Sequence, residues 1–209
     1  MMGTYENSID YLWKSFLNGD DKSFSLIYQH HTNALLEYGY KLCYDHELVH
    51  DSLQEIFIDL FLRRKKNRVT IKNLKSYLFV SLRNSLIKKM TNSRKFESLI
   101  DKKNTEINFN VEYSHQVNLI NNEISKEVSE KLGKGITLLP SKQKEIIYLK
   151  FEEGMDYSEI SNIMKISVES ARKLMYRALL SLRKTLDPEL FNIFILIFFK
   201  KKQIKMSMF

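Results

Sequence analysis

Helix-breaking residues are scarce in this chain, with 2 Pro and 6 Gly among 209 residues. A sheet protein with many tight turns needs more of both, and their scarcity favours long helices. With 44% hydrophobic and 12% aromatic residues there is enough apolar material for one or two small cores. The expected fold class is therefore all-α, with two small helical domains joined by a linker.

Apolar periodicity places the elements. Ile9, Leu12, Trp13, Phe16 and Leu17 recur at helical spacing, and Asn18-Gly19-Asp20 stops that segment. Asp20 or Asp21 can cap a second helix carrying Phe24, Ile27, Tyr28, Leu35, Tyr38 and Leu42. A third helix is predicted from about His46 to Arg64. Leu48, Val49, Leu53, Ile56, Phe57, Leu60 and Phe61 lie on its apolar face, and Asp45, Glu47, Asp51, Glu55 and Asp59 lie opposite. After a polar break at Lys65 to Thr70, Leu74, Tyr77, Leu78, Leu82, Leu86 and Ile87 mark a basic fourth helix ending near Asn92. The pattern weakens from Asn104 to Lys134, which reads as a linker with some helical content, closed by Gly133 and Gly135. The expected division is 1–103 first domain, 104–135 linker, 136–187 second domain and 188–209 apolar-basic tail.

Charge is unevenly spread. Met1 to Leu62 holds 3 Lys/Arg against 10 Asp/Glu, a net of −7, whereas Arg63 to Lys103 holds 14 against 2, a net of +12. Such a switch suggests two partners, and the basic segment suits a polyanion such as nucleic acid; a solvated basic surface is the plainer alternative. The single cysteine, Cys43, excludes an internal disulfide framework and fits a reducing compartment. Met1 to Asn18 carries Glu6 and Asp10 and no continuous apolar run, unlike a secretory signal, so a cytoplasmic location is expected.

The strongest local signal runs from Gly154 to Leu182. Asp156-Tyr157-Ser158-Glu159 has the spacing of a capping box and opens a short helix. A break at Lys165-Ile166-Ser167 leads to a long helix from Val168 to about Leu186, ended by Asp187-Pro188. Two helices joined by a tight turn form the layout of a helix-turn-helix, whose second helix enters the DNA major groove. The polar positions there are Ser167, Glu169, Ser170, Arg172, Lys173, Tyr176 and Arg177, while Val168, Ala171, Leu174, Met175, Ala178, Leu179 and Leu182 can pack inward. An ordinary helical hairpin in a bundle would show the same pattern.

Longer motifs narrow the reading. Leu138-Leu139-Pro140, Glu153-Gly154, Tyr157-Ser158-Glu159-Ile160-Ser161, Ile166-Ser167-Val168 and Tyr176-Arg177-Ala178 resemble domain 4 of bacterial RNA polymerase sigma factors, best the extracytoplasmic-function (ECF) group. Ser161 and Ala171 depart from the usual Ala and Val, and Leu174 takes a position that is often basic. Independently, Asp51-Ser52-Leu53-Gln54-Glu55-Ile56-Phe57-Ile58-Asp59-Leu60-Phe61 resembles the signature helix of sigma domain 2. Lys72 to Leu78 and Leu82-Arg83-Asn84 resemble the segment that follows it. The likeness covers about Ile9 to Lys95 and Ile136 to Leu186.

The resemblance implies that Asp51, Gln54, Glu55, Phe57 and Asp59 meet core RNA polymerase. It implies that Asn73, Lys75, Tyr77, Arg83, Asn84 and Lys88 serve the minus-ten element; strand opening also needs a place for an unstacked base, and the loop Lys66 to Thr70 is expected to hold it. The helix from Ser167 would read the minus-35 element. It also implies an anti-sigma partner. No catalysis, cofactor, metal or small-molecule substrate is expected.

Two other classes fit parts of the sequence. A two-domain helix-turn-helix regulator acting alone, as a dimer, would bind duplex DNA without polymerase. A metal-dependent hydrolase would use Cys43, His46 and His50, an incomplete ligand set. The run Leu190 to Phe199 is too short to span a bilayer, which needs about 20 residues. It is expected to pack on either domain, or else to form a docking surface.

Overall fold

The computed structural model describes residues 3–64, 71, 73–97, 109–110 and 126–196. All regular structure among them is helical, and the chain divides into two compact units at Phe109.

In the first unit, α1 (Gly3–Leu17), α2 (Asp21–Leu42), α3 (His46–Arg64) and α4 (Leu74–Glu97) surround one core. Gly19 ends α1 with φ +111°, a conformation that costs glycine little, and the Asp20 N–H donates to the Ser15 carbonyl at 3.0 Å. Asp20 then caps α2, its carboxylate accepting from the Lys22 and Ser23 amides. Phe16, Ile27, Leu35, Tyr38, Val49, Leu53, Leu60, Leu78, Phe79, Leu82 and Leu86 are buried. At one end, Phe24 stacks on Phe16 at 4.9 Å and meets Phe61 edge-on at 5.1 Å. Arg64 covers this cluster, 4.9 and 4.8 Å from the Phe16 and Phe61 rings, and pairs with Asp21 at 2.6 Å. This cation therefore serves the fold. Gly39 lets α2 approach α3, because a Cβ there would lie 2.5 Å from Val49 Cγ1.

The second unit contains α5 (Lys126–Thr137), α6 (Ser141–Ile147), a π-type turn (Tyr148–Glu152), α7 (Tyr157–Met164) and α8 (Val168–Thr185). The weak pattern before Ile136 thus hides a real helix. Gly133 and Gly135 lie inside α5 and do not end it. A Cβ on Gly135 would collide with the Leu186 side chain, so this glycine serves close packing. Pro140 sits at the N-cap of α6, one place before the first turn. Phe109, outside the second domain as read from sequence, is fully buried with its ring 5.8 Å from Tyr148.

The tail joins this unit. Asp187 accepts from the Leu190 and Phe191 amides and starts a helical segment at 188–196, with Pro188 in its first turn. Leu190 and Phe194 are buried, and the Phe194 ring meets Phe151 at 6.1 Å. Packing on the second unit is thus the alternative realised, and residues 197–199 of the apolar run lie outside the described residues.

Candidate protein and nucleic-acid interfaces

The outer face of α3 is part acidic and part apolar. Asp51, Gln54 and Glu55 are exposed and Asp59 is half-exposed. Phe57 is not available to a partner: it is 3% exposed and contacts Tyr28 and Phe24 edge-on at 4.8 and 6.0 Å. Its place on the surface is taken by Ile58 and Leu62, 58% and 54% exposed. The spacing of 51, 55, 58 and 62 repeats that of the buried 49, 53, 56 and 60 on the opposite side, a helical stripe that could have identified both residues. Glu55 pairs with Lys89 of α4 at 2.7 Å, and Asp59 pairs with Arg63 at 2.7 Å.

On α4, Asn73, Tyr77, Asn84 and Lys88 fall on one stripe, at i, i+4, i+11 and i+15. Asn73 also caps the helix, accepting the Ser76 amide at 2.9 Å. Tyr77 and Asn84 are half-buried, Lys88 is exposed, and Asn84 Oδ1 is buried without a hydrogen-bond partner. Two expected members of the site lie elsewhere. Arg83 is 5% exposed, turned about a third of the helix circumference away from the stripe, and Lys75 lies nearly opposite it with Nζ 5.8 Å from the Phe79 ring. Periodicity alone cannot mark an arginine as buried, because arginine is rarely so. The loop Lys66 to Thr70 lies outside the described residues.

Near Lys75 sits His31, buried on α2. Desolvation, helped by the nearby charges of His30 and Lys75, pushes its pKa down to about 4. Its Nε2 has no hydrogen-bond partner. The His30 and His31 rings are perpendicular, 4.8 Å apart. The hydrolase residues do not converge. Cys43 is buried, whereas His46 stacks on Tyr40 at 4.1 Å and His50 Nε2 lies 2.7 Å from the Tyr40 hydroxyl. Among the described residues no three acidic, histidine or cysteine side chains form a metal-binding group.

The helix-turn-helix is built as its sequence dictates. The Asp156–Glu159 capping box opens α7, with amide-to-carboxylate distances of 2.6 and 2.8 Å. Lys165, with φ +53°, turns the chain left-handed, and the Ile166 amide returns to the Ser161 carbonyl at 3.0 Å. Ser167 caps α8 through the Ser170 amide at 3.0 Å. Ala171, Met175, Ala178 and Leu182 face the core, while Glu169, Ser170, Arg172, Lys173, Tyr176 and Arg177 occupy the exposed arc. Glu169 and Lys173 pair at 2.6 Å, leaving Arg172 and Arg177 as the remaining cations of the arc.

One residue of this region was not singled out from sequence. The Tyr157 ring centroid lies 4.7 Å from Lys150 Nζ and 5.8 Å from the Arg172 guanidinium carbon. Lys150 also donates to the Met155 carbonyl at 3.0 Å.

Two family models match the chain. Residues 27–96 match sigma-70 region 2 and residues 129–182 match sigma-70 region 4, together more than half of the chain and in that order. This chain belongs to the sigma-70 family. The region 2 match spans α3 and the described stripe of α4, and the region 4 match spans the helix-turn-helix. Similar solved structures include the sigma factor RpoE of Bartonella quintana, in complex with the anti-sigma factor NepR. It is 20% identical with a TM-score of 0.54, covering 78% of this sigma factor and 96% of that chain. CnrH, in complex with the cytosolic domain of CnrY, is 14% identical with a TM-score of 0.51, covering 84% of this chain and 94% of that one. At these identities the likeness is one of fold. A search of curated proteins gave no match. No described helix of this sigma factor is long and apolar enough to cross a membrane.

Proposed function

We propose that this sigma factor is of the ECF type and acts in the cytoplasm by binding core RNA polymerase and bringing it to promoters. In this reading the α3 stripe of Asp51, Gln54, Glu55, Ile58, Asp59 and Leu62 binds polymerase, its carboxylates steering a basic surface and its apolar residues supplying contact area. Asn73, Tyr77, Asn84 and Lys88 serve the minus-ten element, where strand opening needs stacking and hydrogen-bonding groups beside an unpaired base. The exposed arc of α8 reads the minus-35 major groove. Nucleotide chemistry is left to polymerase, and no cofactor is required.

The observation that carries the proposal is the pairing of two helical surfaces within one sigma-70 family chain, an acidic-apolar α3 stripe and a cationic recognition helix. Because the similar RpoE structure holds an anti-sigma factor and the CnrH structure holds a partner's cytosolic domain, an anti-sigma factor is proposed here too. In vitro transcription with core polymerase, with and without this chain, tests the proposal. Promoter-specific transcripts that appear only with the chain are expected. Tight duplex binding by a dimer, with no stimulation of polymerase, would instead indicate a regulator that acts alone.

A further inference from the structure

Arginine carries a long, rotamer-rich side chain into any contact it makes, so a fixed guanidinium binds better than a free one. Arg172 is exposed on the recognition helix but does not project alone: its guanidinium lies over Tyr157, the first residue of α7. The tyrosine is itself held. Lys150 sits 4.7 Å from its ring and is anchored to the Met155 carbonyl, linking the π-type turn to the loop before α7. A guanidinium held beside a ring at this 5.8 Å distance keeps N–H groups free for acceptors on DNA. The half-buried Tyr157 thus connects the bracing helix to a cation of the reading helix.

We propose that Tyr157 is a positioning residue for DNA reading, its ring holding Arg172 at the edge of the recognition helix in the orientation used on promoter DNA. This rests on the function proposed above. The ring face does the work, so phenylalanine should substitute for tyrosine. Lysine should not substitute for Arg172, since it has the charge without the plane.

The test uses the full chain with core RNA polymerase and an upstream duplex that the wild-type protein selects from a randomised pool. Tyr157→Leu and Arg172→Lys should each weaken binding about two- to fivefold, the range of an exposed cation–π contact. Tyr157→Phe should bind as wild type, and Tyr157→Leu should add nothing in an Arg172→Ala background. Circular dichroism melts check that each variant folds, and Arg172→Lys, altered at an exposed position, keeps the test alive if Tyr157→Leu does not. Equal losses from Tyr157→Phe and Tyr157→Leu would assign the effect to the hydroxyl and overturn the proposal. So would a Tyr157→Leu effect that persists without Arg172, or Arg172→Lys binding as wild type. If the wild-type chain selects a sequence and Tyr157→Leu leaves it unchanged, only the role of Tyr157 fails. If the wild-type chain selects nothing, the parent reading fails with it.

Discussion

Replacing His31 with Leu should remove a pH dependence from the first unit. His31 is 5% exposed, its Nε2 is unpartnered, and burial holds its pKa at about 4 against an ordinary 6.5. The unfolded chain therefore binds a proton between these limits that the folded chain refuses. Stability on this account is complete above pH 6.5 and falls as the pH drops towards 4. At pH 5 the loss is about 2 kcal/mol, and over the whole interval about 3 kcal/mol. His30, whose pKa burial also lowers, adds in the same direction, and the Lys75 charge opposes protonation of both. Trp13, the single tryptophan, is buried in this unit beside Phe16, so urea unfolding followed by its fluorescence reports the unit alone. The stability difference between His31→Leu and wild type should shift by about 2 kcal/mol in favour of the variant between pH 7 and pH 5. Carboxylates that titrate in the same range cancel in that difference. Parallel pH profiles for the two proteins would refute the argument.

Two further substitutions test packing. Gly39→Ala gains about 1 kcal/mol of helix propensity but drives a Cβ against the stiff Val49, and overpacking costs about 1–3 kcal/mol. A net loss near 1 kcal/mol is expected by Trp13 fluorescence, recovered in Gly39→Ala/Val49→Ala. Phe194→Ala should destabilise the second unit by about 3–5 kcal/mol, since the ring is fully buried. Hydrogen exchange should quicken around Phe151 in the variant while peptides of α2 and α3 are unchanged, and unaltered exchange at Phe151 would show that the tail packs elsewhere.

Much of the fold was legible because the signals were local. The limits of α3, the Asp156–Glu159 box and the serine cap of α8 follow from residue type and spacing within a turn or two. What sequence did not reveal depended on tertiary contacts. Gly133 and Gly135 read as the close of a linker, because a glycine that fits against a neighbouring side chain, as Gly135 does against Leu186, looks the same in sequence as one in a connecting segment. Phe57 lies within the acidic signature but points into the core, and Arg83 lies within the basic helix but is buried, so motif membership did not give exposure. Tyr157 belongs to a family-like motif, yet its two cations come from 7 residues before it and 15 after it, beyond any local pattern.

The proposed function requires that the acidic-apolar face of α3 grip core RNA polymerase. Size-exclusion chromatography of core polymerase with this chain at moderate ionic strength tests it directly, using wild type and an Asp51→Lys/Ile58→Asp variant altered only at exposed positions. Wild type should co-elute with polymerase, and the variant, with an unchanged Trp13 emission, should elute alone. A wild-type chain that elutes alone, or a variant that co-elutes equally well, would rule out α3 as the polymerase-binding face.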